Sequence, residues 1–144
     1  MTISSPDHLI LDSSVGLQLC SEPKEFELIE RLHAAQEQGV RIWFYVGEYS
    51  TLVGDLKRNL GSVSSSKDAS LVAPRQRLEE MLPGMQWLSA LTGDIPASDD
   101  SDPIATALTH AAARLAGNTW VLTYDDRRAQ KGVPFALAEN FDIP

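Results

Sequence analysis

Short apolar segments alternate with longer amphipathic segments along this chain, and the alternation limits the folds that it can adopt. Short runs of apolar, β-branched or aromatic residues, typical of buried strands, occur at 8–11, 40–46, 85–88 and 120–123. Strands that alternate with helices form a parallel sheet covered by helices on both faces. The pattern therefore predicts an α/β fold, namely a three-layer α/β/α sandwich with a central, mostly parallel sheet.

The segments between the strands predict four helices. Apolar residues recur at helical spacing over 23–38, 48–60, 69–82 and 103–116. A glycine follows three of these segments, and glycine accepts the left-handed conformation that commonly ends a helix. The polar stretch Asp12-Ser13-Ser14 and the serine-rich stretch 61–68 are predicted to be loops.

Length and composition predict one domain that spans residues 1–144. The chain has 144 residues and is 43% hydrophobic, enough for one sizeable core and too short for two independent domains. No targeting leader and no apolar run of membrane-spanning length is recognisable, so a soluble, cytoplasmic protein without membrane association is expected. The single cysteine, Cys20, has no disulfide partner within the chain and is interpreted as a core residue.

The charge balance bears on nucleic-acid binding. The formal net charge is −8, which argues against an extended basic face that binds nucleic acid nonspecifically. A metal-dependent nuclease remains compatible with this charge, because bound cations would neutralise several of its carboxylates.

The positions of five acids carry the functional information. Asp12, Glu48 and Asp125 each follow a predicted strand, while Asp100 and Asp102 precede the helix over 103–116. In a parallel sheet these positions converge on one edge, where ligands commonly bind. Carboxylates gathered there repel one another unless a cation is present, and oxygen ligands favour Mg²⁺ or Mn²⁺ over zinc. Each acid alone fits a helix cap or a solvated loop, so only the joint pattern indicates a metal site.

The first strand and the residues after it resemble the PIN-domain family of ribonucleases, which includes the VapC-type toxins. The run Leu9-Ile10-Leu11-Asp12-Ser13-Ser14-Val15 is similar to the first strand of that family, where an aspartate is followed by small hydroxyl residues. The resemblance implies that Asp12 is a metal ligand and that Ser14 supports it.

The last predicted strand carries the stronger part of the resemblance. The run Trp120-Val121-Leu122-Thr123-Tyr124-Asp125 resembles the apolar strand of the family that ends in threonine, any residue and aspartate. The resemblance covers nearly the whole chain, and it implies that Asp125 is an acid of the metal site and that Thr123 is its supporting neighbour.

Two further acids match the family pattern less closely. Glu48 is similar in placement to a glutamate after the second strand, although Val46 and Gly47 precede it where the family usually has a serine or threonine. For the acid before the penultimate helix, Asp100 fits the usual spacing and Asp102 fits a cap before Pro103, and Asp102 is preferred. The catalytic set implied is therefore Asp12, Glu48, Asp102 and Asp125, with Asp100 as an alternative ligand.

The resemblance implies a Mg²⁺- or Mn²⁺-dependent endoribonuclease that hydrolyses RNA phosphodiester bonds, as the toxin of a toxin–antitoxin pair does. It also implies a homodimer and a protein antitoxin as partner. One alternative is a catalytically inactive PIN fold that binds RNA or protein. Another is a phosphatase of the haloacid-dehalogenase kind, but that class resembles this chain less, because Ser14 stands where its second acid would be.

Several other polar and aromatic residues have less specific interpretations. Arg127, Arg128 and Lys131 follow Asp125 and are interpreted as a solvated loop or, alternatively, as contacts for RNA phosphates. The adjacent aromatic residues at 43–45 alternate between the faces of a strand and predict core or dimer contacts, not a base-stacking platform. His33 and His110 have no recognisable nucleophile partner, so no catalytic triad is predicted.

Overall fold

A computed structural model describes residues 6–20, 26–60, 74–91 and 102–138. Within these ranges the strands are β1 (His8–Leu11), β2 (Arg41–Tyr45), β3 (Gln86–Leu88), β4 (Thr119–Thr123) and β5 (Phe135–Leu137). The helices are α1 (Ser13–Cys20), α2 (Phe26–Glu37), α3 (Tyr49–Leu60), α4 (Pro74–Met81), α5 (Pro103–Ala113) and α6 (Asp126–Ala129). A 3-10 turn covers Val46–Glu48.

The five strands form one parallel sheet in the order β3-β2-β1-β4-β5. The α/β fold predicted from the sequence is therefore confirmed, and the described sheet is parallel throughout. The chain starts at the centre with β1, builds outward through β2 and β3, and then returns to the other side of β1 as β4. In α/β sheets ligands commonly bind beyond the carboxyl ends of the strands where the strand order reverses, which here means beyond β1 and β4.

Alternate residues of the strands face two separate hydrophobic layers. Leu9 and Leu11 of β1 join one buried cluster, and Ile10 between them joins the other. The first cluster packs the sheet against α1, α2, α3 and α4, and the second packs it against α5. Burial of both faces explains why the strands read as nearly continuous apolar runs in the sequence.

The aromatic run in β2 follows the same alternation. Phe44 is fully buried in the layer under α1 to α4, whereas Tyr45 is fully buried in the layer under α5. Trp43 is partly buried and packs on the same side as Tyr45. The prediction of core contacts for this run is confirmed.

Two regions differ from the sequence-based expectation. The predicted loop at residues 12–14 is wrong, because α1 begins at Ser13 directly after β1. The segment after β4 was not assigned secondary structure from the sequence, but it contains the short helix α6 and the edge strand β5. Four residues of helix and three of strand are too short to produce a recognisable periodicity.

Cys20 at the end of α1 is buried, as predicted, and burial raises the pKa of its thiol to about 11. Across the described ranges, none of the helices has both the length and the apolar character needed to span a bilayer.

Gly16 allows α1 to pack closely against the core. A Cβ atom built at this position would lie 2.8 Å from Cε2 of Phe44 and 3.2 Å from Cδ2 of Leu52. Both neighbours are fully buried side chains, so neither can withdraw into solvent. Because α1 also carries the residues at the carboxyl end of β1, this contact fixes the position of the candidate site.

Replacing Gly16 by alanine is expected to lower the free energy of unfolding by about 1–3 kcal/mol, since the added methyl group overpacks the core. Gly54 in α3 provides a matched control, because a Cβ atom there meets only Nη1 of Arg58 at 3.7 Å. Gly54→Ala should instead stabilise the protein by about 0.5–1 kcal/mol through helix propensity. Urea unfolding of both variants measures the two effects, and equal changes would contradict the close packing of α1.

Candidate metal centre

The candidate site lies beyond the carboxyl ends of the central strands. Asp12 directly follows β1, Glu48 lies at the end of the turn after β2, and Asp125 lies two residues after β4. Asp102 immediately precedes α5. The parallel sheet thus places residues that are distant in sequence at the sheet edge where the strand order reverses.

Asp12 is fully buried and held by several contacts. Its Oδ1 accepts hydrogen bonds from Oγ of Ser14 at 2.6 Å and from the backbone N–H of Val15 at 3.1 Å. The Val15 contact is that of a helix cap, which explains why the chain enters α1 immediately after Asp12. Capping alone does not require a fully buried carboxylate, because most capping side chains are exposed to water.

Ser14 and Thr123 connect β1 and β4 through their hydroxyl groups. Oγ of Ser14 donates to Asp12 and accepts from the backbone N–H of Tyr124 at 2.8 Å. Since the single hydroxyl proton of Ser14 is used on Asp12, Thr123, whose Oγ1 lies 3.4 Å away, is the donor to Oγ of Ser14. Oγ1 of Thr123 in turn accepts the backbone N–H of Asp125 at 3.0 Å. The two predicted supporting residues therefore link Asp12 to Asp125.

Glu48 is fully buried, although it lies in a 3-10 turn. Its Oε1 accepts the backbone N–H of Ser13 at 3.3 Å, so the first turn of α1 contacts both Glu48 and Asp12. Its Oε2 is also buried and has no hydrogen-bond partner among the described residues. A buried carboxylate oxygen without a partner is costly, and such an atom is a natural ligand for a cation or water.

Asp102 lies at the N-terminus of α5, where Pro103 occupies the first turn. Its Oδ1 accepts the backbone N–H of Ala105 at 3.1 Å, which fits the helix-cap role that favoured Asp102 over Asp100 in the sequence. The side chain of Asp102 is 27% exposed. Asp100, the alternative ligand, lies outside the described residues.

Asp125 lies at the outer side of the site. It caps α6 by accepting the backbone N–H of Arg127 at 2.9 Å, and its side chain is 37% exposed. Its connection to the buried acids runs through Thr123 and Ser14. Asp125 is therefore linked to the buried acids only indirectly. Asp12, Glu48 and Asp102, in contrast, all contact one basic side chain.

That side chain is Arg128, whose guanidinium contacts three carboxylates. Nη1 lies 2.9 Å from Oδ2 of Asp12 and 2.5 Å from Oε1 of Glu48. Nε donates to Oδ2 of Asp102 at 2.9 Å, and Nη2 lies 3.4 Å from Oδ1 of the same carboxylate. Three carboxylates surround one guanidinium, so the cluster retains an excess of negative charge.

The sequence-based interpretation of Arg128 as a solvated or RNA-contacting residue is wrong for this structure, since Arg128 is 9% exposed and bound within the acidic cluster. Arg127, with 92% of its side chain exposed, and Lys131, also exposed, match the solvated interpretation. Arg128 follows Asp125 by three residues, a separation that places two side chains on one side of a helical turn. That spacing is the one signal in the sequence that could have indicated its role.

Burial and the neighbouring Arg128 shift the pKa of Glu48 in opposite directions. Burial raises the pKa of its carboxyl group above the ordinary value of 4.5, and the charge of Asp12 raises it further. The charge of Arg128 and its hydrogen bond lower the pKa but do not offset the loss of water. Glu48 is therefore held in an environment that disfavours its ionised form when no further cation is present.

The balance is reversed at Asp102. Burial by itself raises the pKa of this carboxyl group, but the hydrogen bond and the charge of Arg128 outweigh that effect, and the pKa falls below 3.8. For Arg128, burial lowers the pKa, whereas the hydrogen bond to Asp102 and the charge of Glu48 outweigh burial and raise the pKa above the ordinary value for arginine. The arginine is thus charged at every physiological pH.

The donor set fits a hard divalent cation, although its present arrangement is directed at Arg128. The carboxylates around Arg128 offer oxygen ligands, which hard divalent cations prefer. Three carboxylates can carry more negative charge than one arginine neutralises, and Oε2 of Glu48 has no partner among the described residues. Among the described residues, no three His, Cys, Asp or Glu side chains are grouped closely enough to hold one metal ion. The guanidinium of Arg128 instead bridges the acids.

Comparison of the chain with protein-family models finds no match, and comparison with curated proteins finds none either. The PIN-type assignment therefore stays a prediction from the residues around Asp12 and Asp125.

Replacing Asp102 by asparagine is expected to destabilise the metal-free protein at neutral pH. Because the folded-state pKa of Asp102 lies below 3.8, the ionised group contributes stability above that pH, and this contribution is lost as the pH falls through the folded-state value. Urea unfolding in a chelator should show a deficit at pH 7 that shrinks below pH 4. Asp55→Asn removes an exposed ion pair with Arg58 and should have little effect at either pH.

Replacing Glu48 by glutamine should show the opposite pH dependence. The raised pKa of Glu48 means that wild-type stability declines as the pH rises from 4.5 through the folded-state pKa. Relative to wild type, Glu48→Gln should therefore gain stability as the pH rises from 4.5 through the folded-state pKa of Glu48, because glutamine cannot ionise, and urea unfolding over that pH range measures the gain. A stability difference that does not change with pH would contradict the environment described for Glu48.

Proposed function

We propose that this protein is a metal-dependent endoribonuclease of the PIN type, which hydrolyses RNA phosphodiester bonds with Mg²⁺ or Mn²⁺ held by its acidic cluster. The observation that carries the proposal is the burial of Asp12 and Glu48 together at the point where the strand order reverses. Two fully buried carboxylates with a single arginine between them favour the binding of a further cation.

The proposed roles follow from position and exposure. Asp12 and Glu48 would hold the metal from within the fold, because both are fully buried and fixed by the N-terminal amides of α1. Asp125 would complete the site from its solvent side, where the substrate approaches, and Asp102 would do so through Oδ1, since its Oδ2 holds Nε of Arg128. A bound metal would lower the pKa of a water molecule and offset the charge that develops on the scissile phosphate.

Ser14 and Thr123 would act by orientation. The hydrogen bond from Ser14 fixes Oδ1 of Asp12, which leaves Oδ2 as the oxygen directed at the cation position. Thr123 fixes both Ser14 and the backbone of Asp125. These hydroxyl groups hold the acids in place before a metal arrives, which limits the reorganisation that binding requires.

The resemblance to VapC-type toxins adds two partners to the proposal, a second copy of the chain and a protein antitoxin. A VapC-type toxin would act on RNA as a homodimer and be inhibited by a protein antitoxin. A basic antitoxin segment would be electrostatically suited to a chain of net charge −8.

An inactive RNA- or protein-binding scaffold is the second candidate. The ion pairs of Arg128 with Asp12, Glu48 and Asp102 favour it, because they neutralise part of the cluster without any metal. The two candidates differ in one measurable property, which is turnover in the presence of Mg²⁺ or Mn²⁺.

We expect the purified protein to cleave single-stranded or structured RNA when Mg²⁺ or Mn²⁺ is present, and to lose this activity in a chelator. Asp12→Asn and Asp125→Asn should each lower the cleavage rate by at least about 100-fold, the scale of loss when a group that stabilises transition-state charge is removed. A gel assay with labelled RNA measures both effects.

Asp126→Asn is the matched control, because Asp126 is an exposed acid beside Asp125. This variant should retain wild-type cleavage. Cleavage that survives Asp12→Asn and Asp125→Asn would refute the site, and RNA binding without cleavage would favour the scaffold. Turnover of a small phosphomonoester without RNA cleavage would favour the phosphatase class.

A further inference from the structure

The guanidinium of Arg128 lies where the buried carboxylates of the candidate metal centre meet. A single nitrogen, Nη1, contacts Oδ2 of Asp12 at 2.9 Å and Oε1 of Glu48 at 2.5 Å. We propose that Arg128 and a divalent cation are alternative occupants of the space between Asp12 and Glu48, so that Arg128 governs how tightly the centre binds metal. This inference rests on the proposed function, because it takes the acidic cluster to be a metal site.

Geometry prevents both occupants from using the same oxygens at once. Mg²⁺ requires oxygen ligands at about 2.0–2.1 Å in nearly octahedral geometry. The oxygens of Asp12 and Glu48 that would provide such ligands are directed at Nη1 of Arg128. A divalent cation would also repel the guanidinium at this distance, so its entry requires Arg128 to withdraw from both acids.

Asp102 provides an anchor for the withdrawn arginine. Arg128 contacts Asp102 through Nε and Nη2, whereas it contacts Asp12 and Glu48 through Nη1. The two sets of hydrogen bonds are therefore separable. Asp102 is also the more exposed acid, with 27% of its side chain accessible, while Asp12 and Glu48 are fully buried. Loss of the Nη1 contacts thus leaves Arg128 at the solvent side of the site.

The charges explain why the arginine occupies the metal-free site. Without it, Asp12 and Glu48 would be buried with no ion-pair partner among the described residues, which is strongly unfavourable. With it, the cluster still carries more negative than positive charge, and Oε2 of Glu48 still has no partner among the described residues. A divalent cation supplies one more positive charge than arginine and can use this oxygen as well. Arg128 therefore stabilises the metal-free fold but leaves the site able to accept metal.

Removal of the arginine should tighten metal binding. A site that must first release an internal occupant binds with an affinity reduced by the fraction of molecules in the open state. If that fraction is about 1–10%, Arg128→Gln should lower the Kd for Mn²⁺ by about tenfold or more. Titration calorimetry with MnCl₂ on wild type and variant measures the change without any assay of activity.

Arg127→Gln is the matched control for this titration. It removes the same formal charge from the neighbouring residue, whose side chain is 92% exposed and pairs at 3.9 Å with the outer acid Asp125, whereas Arg128 pairs with Asp12, Glu48 and Asp102. If only the net charge of the protein mattered, both variants would bind Mn²⁺ equally well. Arg128→Lys should have an intermediate affinity, because lysine retains the charge but lacks the forked geometry that reaches three carboxylates at once.

A second measurement uses the wild-type protein and does not depend on whether a variant folds. The Nε–H of Arg128 is hydrogen-bonded to Asp102, while Nη1 is bonded to the two buried acids. In arginine-selective NMR spectra, the guanidinium N–H signals of Arg128 should be protected from solvent exchange in a chelator. Saturating MgCl₂ should abolish protection at Nη1 and leave Nε protected by Asp102.

The outcomes separate this inference from the proposed function. The inference is supported if Arg128→Gln binds Mn²⁺ more tightly than Arg127→Gln does. This holds even when the wild type shows no measurable binding. If the wild type binds Mn²⁺ and Arg128→Gln binds it no more tightly, the inference is overturned but the metal site is not. The same holds if Nη1 stays protected in saturating MgCl₂. Absence of binding in wild type and all variants overturns both the inference and the metal site.

Discussion

Electrostatic repulsion among buried carboxylates is the constraint on which this site depends. Two like charges about 4 Å apart repel by roughly 4 kcal/mol at an effective dielectric constant of 20, and burial adds the loss of water. Asp12 and Glu48 experience both effects, because each is fully buried and they contact the same atom of Arg128. The arginine, the N-terminal amides of α1 and the raised pKa of Glu48 are three responses to this one problem. Each of these three features lowers the unfavourable free energy of burying Asp12 and Glu48.

The architecture of the sheet and the chemistry of the site have a common cause. The reversal of strand order between β1 and β4 brings the carboxyl ends of two central strands together, and each of these strands leads into a capping aspartate. Capping explains why Asp12, Asp102 and Asp125 precede helices. Glu48 accepts one N-terminal amide of α1, that of Ser13, but this contact does not explain its full burial or its Oε2, which has no partner among the described residues. Glu48 is therefore the acid that structural requirements account for least.

Much of the fold could be predicted from the sequence, because strands buried on both faces leave uninterrupted apolar runs and amphipathic helices leave a clear period. The placement of Asp12, Glu48 and Asp125 after strands followed from the same patterns. Arg128 could not be recognised in this way. Its position depends on α6, a helix of four residues that no periodicity reveals, and on a carboxylate cluster assembled from distant parts of the chain. Local sequence predicts elements well, whereas a charge network between elements emerges only when they are packed together.

The separation in sequence between the arginine and its partners has a consequence for synthesis of the protein. Arg128 follows Asp12 by 116 residues and Glu48 by 80. On the ribosome, the first two central strands are therefore complete long before their counter-charge has been translated. Until then, collapse around β1 and β2 would bury two acids with nothing to neutralise them, so the nascent chain gains little by closing early. The charge of the two buried acids is therefore balanced by Arg128 only after the segment that contains α6 has been added to the chain.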